Sequence, residues 1–123
     1  MDDEEGIREI VKIYLARLGY RAEVVADGEA ARESYERALR ESDPFAVVIL
    51  DLSVKSGPDG IETLRLLKAI DPGVRAIITT GFTDDPIVSR YRELGFSAVV
   101  PKPFQIHRLD EAIRAVLSGD SPA

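Results

Sequence analysis

Apolar and polar positions along the chain follow two different rhythms. Ile7, Ile10, Val11, Tyr14, Leu15 and Leu18 fall at i, i+3, i+4, i+7, i+8 and i+11, a single stripe at helical period, and Gly19 stops it. A short strand is expected at about 22–26. Asp27-Gly28 then opens a second helix running to about Arg40. After Pro44, the run from Phe45 to Leu50 is apolar at every position and ends in Asp51. Unbroken rather than alternating apolarity marks a strand buried on both faces of a parallel sheet.

Gly57-Pro58-Asp59-Gly60 reads as a turn, and Ile61, Leu64, Leu67 and Ile70 mark a third helix closed by Pro72-Gly73. Val74 to Thr80 is a further strand broken by Gly81. Asp85-Pro86 has the cap-then-proline signature of a helix start, continuing through Ile87, Val88, Tyr91 and Leu94 to Gly95. Ser97 to Val100 is the last strand. A final helix carries Ile106, Leu109, Ile113, Val116 and Leu117. Strands that alternate with helices at this spacing predict an α/β fold with right-handed crossovers and a parallel sheet covered by helices. Every helix has a strand before it except the first, which has only Met1-Asp2-Asp3.

Length and composition narrow the function classes. The 123 residues suit one domain, expected over 1–117 with a flexible tail at 118–123. A net charge of −6 with scattered basic residues argues against direct nucleic-acid binding. The longest apolar run is too short for a membrane span. With no cysteine, thiol chemistry and disulfides are excluded, and a cytoplasmic protein is expected.

Sites in open α/β sheets form beyond the carboxyl ends of the strands. Asp51, Thr80 and Lys102 stand at three such ends, and Asp2 and Asp3 stand where a strand before the first helix would end. Clustered carboxylates raise each other's pKa unless a cation neutralises them, and Mg²⁺ suits a site that also binds phosphate. A carboxylate nucleophile, a metal, a lysine and a hydroxyl are the parts needed to make and break an acyl phosphate.

Over essentially its whole length the chain resembles the receiver domain of two-component response regulators. The resemblance rests on Asp2-Asp3-Glu4, Val47-Val48-Ile49-Leu50-Asp51, Asp59-Gly60, Ile78-Thr79-Thr80-Gly81 and Lys102-Pro103-Phe104. It implies a flavodoxin-like doubly wound sheet of strand order 2-1-3-4-5, with the first strand truncated here. It also implies Asp51 as phosphoacceptor, fed by a histidine kinase or histidine phosphotransfer protein. Asp2 and Asp3 would be the acidic pair for Mg²⁺, with Asp3 favoured over Asp2 as a direct ligand, alongside Asp51 and the backbone carbonyl of Ser53. Thr80 would bond a phosphoryl oxygen and Gly81 would leave room for it. Lys102 would neutralise another oxygen, and its bond to Pro103 would be cis. The loops at 57–60 and 81–86 resemble those of receivers attached to hybrid histidine kinases. Val99 stands where many receivers carry an aromatic, so a threonine–aromatic switch is not expected. No effector domain is expected after the last helix.

Simpler readings stand beside these. Asp84-Asp85 is explained by helix capping, His107 as a surface residue, and Tyr14, Tyr35 and Tyr91 as packing. A haloacid-dehalogenase-like phosphatase also uses a strand-end aspartate, but it needs a second aspartate where Ser53 stands. A pseudo-receiver that only binds a partner is the other alternative. The absent first strand would remove roughly 10 kcal/mol of burial, comparable with a whole domain's stability. The expectation is therefore that Met1 is an internal residue of a longer chain, or that this chain aggregates or forms a strand-swapped oligomer.

Overall fold

The computed structural model describes residues 1–54, 57–81 and 86–119. Its elements are α1 (Glu5–Arg17), α2 (Gly28–Arg40), β1 (Val48–Asp51), α3 (Gly60–Ile70), β2 (Ala76–Thr80), α4 (Ile87–Arg90), β3 (Ala98–Pro101) and α5 (Ile106–Ser118). The three strands form one parallel sheet in the order β1-β2-β3. Asp51 sits opposite Thr79, and Thr80 opposite Pro101, so the carboxyl ends of the strands finish level.

Helices cover both faces. On one, Leu50 and Ile78 pack with Tyr35 of α2, Leu64 and Leu67 of α3 and Ile87 of α4. On the other, Ile77, Ala98 and Val100 pack with Leu15 of α1 and with Leu109, Ile113 and Val116 of α5. Local signals set the helix ends. The Asp27 carboxylate accepts the Ala30 N–H at 2.8 Å and Asp59 accepts that of Glu62 at 2.9 Å, both as N-caps. Gly19 and Gly119 take left-handed φ angles of 87° and 81° just past α1 and α5. Of the three tyrosines expected to pack, Tyr35 is buried and Tyr14 and Tyr91 lie against the two cores. Its hydroxyl donates to Asp71 at 2.6 Å, tying α2 to the end of α3. No helix among the described residues is long and apolar enough to cross a membrane.

Three expectations are corrected. Residues 22–26 do not form a strand, because a strand needs a ladder partner and this segment has one backbone bond of that kind, from Asp2 N–H to Val25 O at 3.1 Å. The apolar run at 45–50 is not buried throughout: Leu50 is buried, but Val47, Val48 and Ile49 are partly exposed, while β2 is buried at every position. The reason is the same, since among the described residues β1 has β2 on one side and only Met1 on the other. Finally, α4 is four residues long; beyond Arg90 the bonds from Leu94, Gly95 and Phe96 reach back by four, three and five residues as Gly95 turns out at φ 99°. The Asp84-Asp85 cap lies outside the described residues.

Gly60 opens α3 directly behind the end of β1. A methyl group there would stand 2.7 Å from the Asp51 carbonyl oxygen and 2.6 Å from Ile78 Cδ1. At Gly6 in α1 the same group would meet nothing within 4 Å. Gly60→Ala is expected to destabilise by about 1–3 kcal/mol through overpacking. Gly6→Ala is expected to stabilise by about 0.5–1 kcal/mol through reduced unfolded-state freedom. Urea titrations of the two variants check the opposite signs.

Candidate functional site

The level ends of β1 and β2, the chain entering α1 and the loop after β3 meet at one place. Met1 brings the N-terminal segment there as a short strand-like piece: its amine donates to Ile49 O at 2.8 Å and its carbonyl accepts from Asp51 N–H at 3.1 Å. Burial outweighs the attraction of Asp2 and Asp51 and pushes that amine down to about 6. Asp2 is thereby carried to the end of β1. Its Oδ1 accepts the Glu4 N–H at 2.9 Å, and Arg8, one turn into α1, donates to its carbonyl at 2.8 Å.

Asp2 and Asp51 are 6% and 2% exposed, so both carboxylates have left bulk water. Lys102 Nζ answers them, 2.7 Å from Asp2 Oδ2 and 3.1 Å from Asp51 Oδ1. Burial opposes the lysine's charge, but pairing with the two carboxylates outweighs it and its pKa is raised. Its stabilising charge therefore holds across neutral pH and is lost only as alkali passes the raised value. Asp51 is pushed up too, first by burial and then by repulsion from Asp2, with Lys102 only partly compensating.

Asp3 joins the pair, and one carboxylate oxygen from each of Asp2, Asp3 and Asp51 lies within 4.8 Å of the others. Against these three carboxylates the described residues set the Lys102 ammonium and, on the Asp2 carbonyl, the Arg8 guanidinium, which still leaves an excess of negative charge. The Asp2 Oδ2 atom is buried and, despite the close ion pair, has no aligned hydrogen-bond donor. An all-oxygen donor set with excess charge and an open lone pair fits a hard divalent cation, Mg²⁺ included.

The remaining expected residues fall around this centre. Ser53 is exposed, and its N–H faces Asp51 Oδ1 at 3.4 Å, a long contact. Thr80 is buried at the end of β2, and its carbonyl accepts the Lys102 N–H at 2.8 Å. The Lys102–Pro103 bond is cis. Among the described residues, a methyl group at Gly81 would meet nothing within 4 Å. Val99 is half-buried against the first core. His107 is exposed on α5 and belongs to no such cluster among the described residues. Sequence reasoning missed two contributors, Met1 and Arg8, which act through main-chain bonds that carry no side-chain signature. Gly60 entered as part of a turn and of the Asp59-Gly60 motif, without its close approach to Asp51.

Comparison with known proteins points one way. The family model for the response regulator receiver domain matches residues 1–114. The chain is 30% identical over 117 residues to sporulation initiation phosphotransferase F of Bacillus subtilis, covering 95% of this chain and 90% of that protein. It is 30% identical over 118 residues to the chemotaxis protein CheY of Bacillus subtilis, covering 96% and 94%. Among solved structures, the receiver domain of a sensor histidine kinase from Pseudomonas aeruginosa superposes with a TM-score of 0.82 at 22% identity, over 96% of this chain and 93% of that one. That structure has a magnesium ion coordinated in its active-site cleft.

The raised pKa of Asp51 has a signed consequence. Its ionised form burdens the folded state at every pH above its folded value, and the burden disappears as the carboxyl takes up a proton. Metal-free Asp51→Asn is therefore expected to have a higher urea midpoint than the wild type at neutral pH, with the gain shrinking as pH falls. A gain that grew on acidification would contradict this cause.

Proposed function

The chain belongs to the response regulator receiver domain family, and on that premise we propose that Asp51 is its phosphoacceptor and that Asp2, Asp3, Thr80 and Lys102 serve it. Receiver domains are signalling phosphoacceptors rather than classical enzymes. They bind Mg²⁺ in an acidic pocket and interact with histidine kinases or phosphotransfer proteins. One observation carries the assignment of residues: a single ammonium, Lys102 Nζ, bridges Asp51 and Asp2 at the carboxyl end of β1, with Asp3 beside them.

In the proposed reaction an Asp51 carboxylate oxygen attacks phosphorus in a phosphohistidine donor. The new O–P bond gives an acyl phosphate, the N–P bond breaks, and its electron pair leaves with the imidazole. Lys102 faces the charge that builds on the phosphoryl oxygens, and Thr80 offers a hydroxyl to another of them. Gly81 leaves the approach open, and Gly60 holds the Asp51 backbone from behind. Asp2, Asp3, Asp51 and the Ser53 carbonyl would hold Mg²⁺, which when bound supplies positive charge against the transferring group. Burial keeps these groups in a low-dielectric pocket, where each interaction is stronger than in water. The same parts would later let water attack the acyl phosphate, so the domain promotes both its own loading and its own reset.

The phosphatase reading is not favoured: Ser53 is exposed and a hydroxyl there is a poor substitute for a general acid. The test is labelling by acetyl phosphate with Mg²⁺. The wild type is expected to gain one phosphoryl group by intact mass, Asp51→Asn none, and Lys102→Ala to label about 10²-fold more slowly. Chelation by EDTA is expected to stop the wild-type reaction. Undiminished labelling of Asp51→Asn would place the acceptor elsewhere, and many turnovers of a phosphate ester would restore the enzyme reading.

A further inference from the structure

The acidic pair rides on the segment that leads into α1, and the direction of that segment is set around Asp2. Asp2 Oδ1 accepts the Glu4 N–H at 2.9 Å, and Oδ2 faces Lys102 Nζ at 2.7 Å. The main-chain carbonyl of Asp2 is held separately. Arg8, half-buried one turn into α1, reaches back to it with Nη1 at 2.8 Å. Glu4, at the N-cap position of α1, makes no side-chain capping bond. The guanidinium thus ties the acidic segment to the helix where a cap would ordinarily do so.

A peptide unit is planar, so the direction of the Asp2 carbonyl sets the line along which the chain enters Asp3. Asp3 carries the third carboxylate of the cluster, whose oxygens lie within 4.8 Å of one another. Mg²⁺ demands near-ideal octahedral geometry with oxygens at about 2.1 Å, so two of its ligand atoms lie at most about 4.2 Å apart. A ligand set of this kind has to be held to within about 0.5 Å of its working geometry. A modest rotation of the Asp2–Asp3 peptide is enough to spoil it.

Arg8 acts on such a site in two opposed ways. Its charge repels a dication, although water and salt screen a half-exposed guanidinium. Its bond to the carbonyl, being charge-assisted, stiffens the backbone that presents the ligands. Removing an outer partner of a metal ligand typically costs about 10- to 100-fold in metal affinity, more than screened repulsion returns. The bond outweighs the charge.

We propose that Arg8 is a positioning residue for the acidic pair and raises the site's affinity for Mg²⁺ through its bond to the Asp2 carbonyl. The inference rests on the reading of Asp2, Asp3 and Asp51 as the Mg²⁺ ligands. Arg8 acts through Asp2 and holds no ligand position itself.

The test is the affinity for Mg²⁺, followed by the amide shifts of Asp3 and Glu4 in a titration without phosphodonor. Arg8→Met removes the donors and keeps an apolar stem, and is expected to weaken binding about tenfold or more. Arg8→Lys keeps a donor and is expected to recover most of that loss. Lys12→Met removes an equal charge from an exposed position one turn further along α1, and is expected to change the affinity by less than about twofold. In acetyl-phosphate labelling, Arg8→Met is expected to need more Mg²⁺ for half-maximal rate and to reach the wild-type rate at saturation. Equal or tighter Mg²⁺ binding by Arg8→Met would overturn the proposal, since repulsion would then outweigh the bond. A loss that lysine leaves in full, or that Lys12→Met reproduces, would overturn it too. Absence of Mg²⁺ binding by the wild type would instead remove the ligand assignment beneath it. Labelling of Asp51→Asn would move the phosphoacceptor and leave all of these affinities as they are.

Discussion

Lys102 is set between two buried carboxylates, and the arrangement of the whole carboxyl edge follows from that constraint. Neither Asp2 nor Asp51 is tolerable as an isolated charge at its depth. The ammonium compensates both at once, and in doing so joins the N-terminal segment, β1 and the loop after β3. The compensation is incomplete, since Asp51 is still raised and Asp2 Oδ2 still lacks a donor. A site left with unbalanced negative charge is ready for a further cation and for a group that brings its own.

The sheet shows the opposite kind of incompleteness. Its two helix layers are in place and packed through β2, whose five residues are all buried. The strand that ends in Asp51, however, is paired with β2 on one edge and, among the described residues, bonded only to Met1 on the other. The proposed acceptor and the less covered strand thus coincide. Gly60 pressing on the Asp51 carbonyl limits how far that strand can shift backward into α3.

Much of this was legible in the amino-acid pattern. Asp51, Thr80 and Lys102 each follow an apolar run, so their placement at strand ends needed only periodicity. The caps at Asp27 and Asp59 and the stop at Gly19 are local and were equally readable. What failed was nonlocal. Residues 22–26 have strand-like composition, but a strand exists only when a neighbour offers its backbone, and composition is silent on neighbours. The run at 45–50 was read as doubly buried for the same reason. Arg8 contributes through a bond to a main-chain carbonyl, so no pairing of side-chain types announced it.

The bond from Lys102 N–H to Thr80 O has a mechanical corollary. It fastens the end of β2 to the segment that leads into α5, so Thr80 cannot travel toward Asp51 by itself. Either the 2.8 Å link yields or the lysine and the start of α5 travel with it. Any movement of Thr80 would thus be passed to the segment that leads into α5, without an aromatic side chain at position 99.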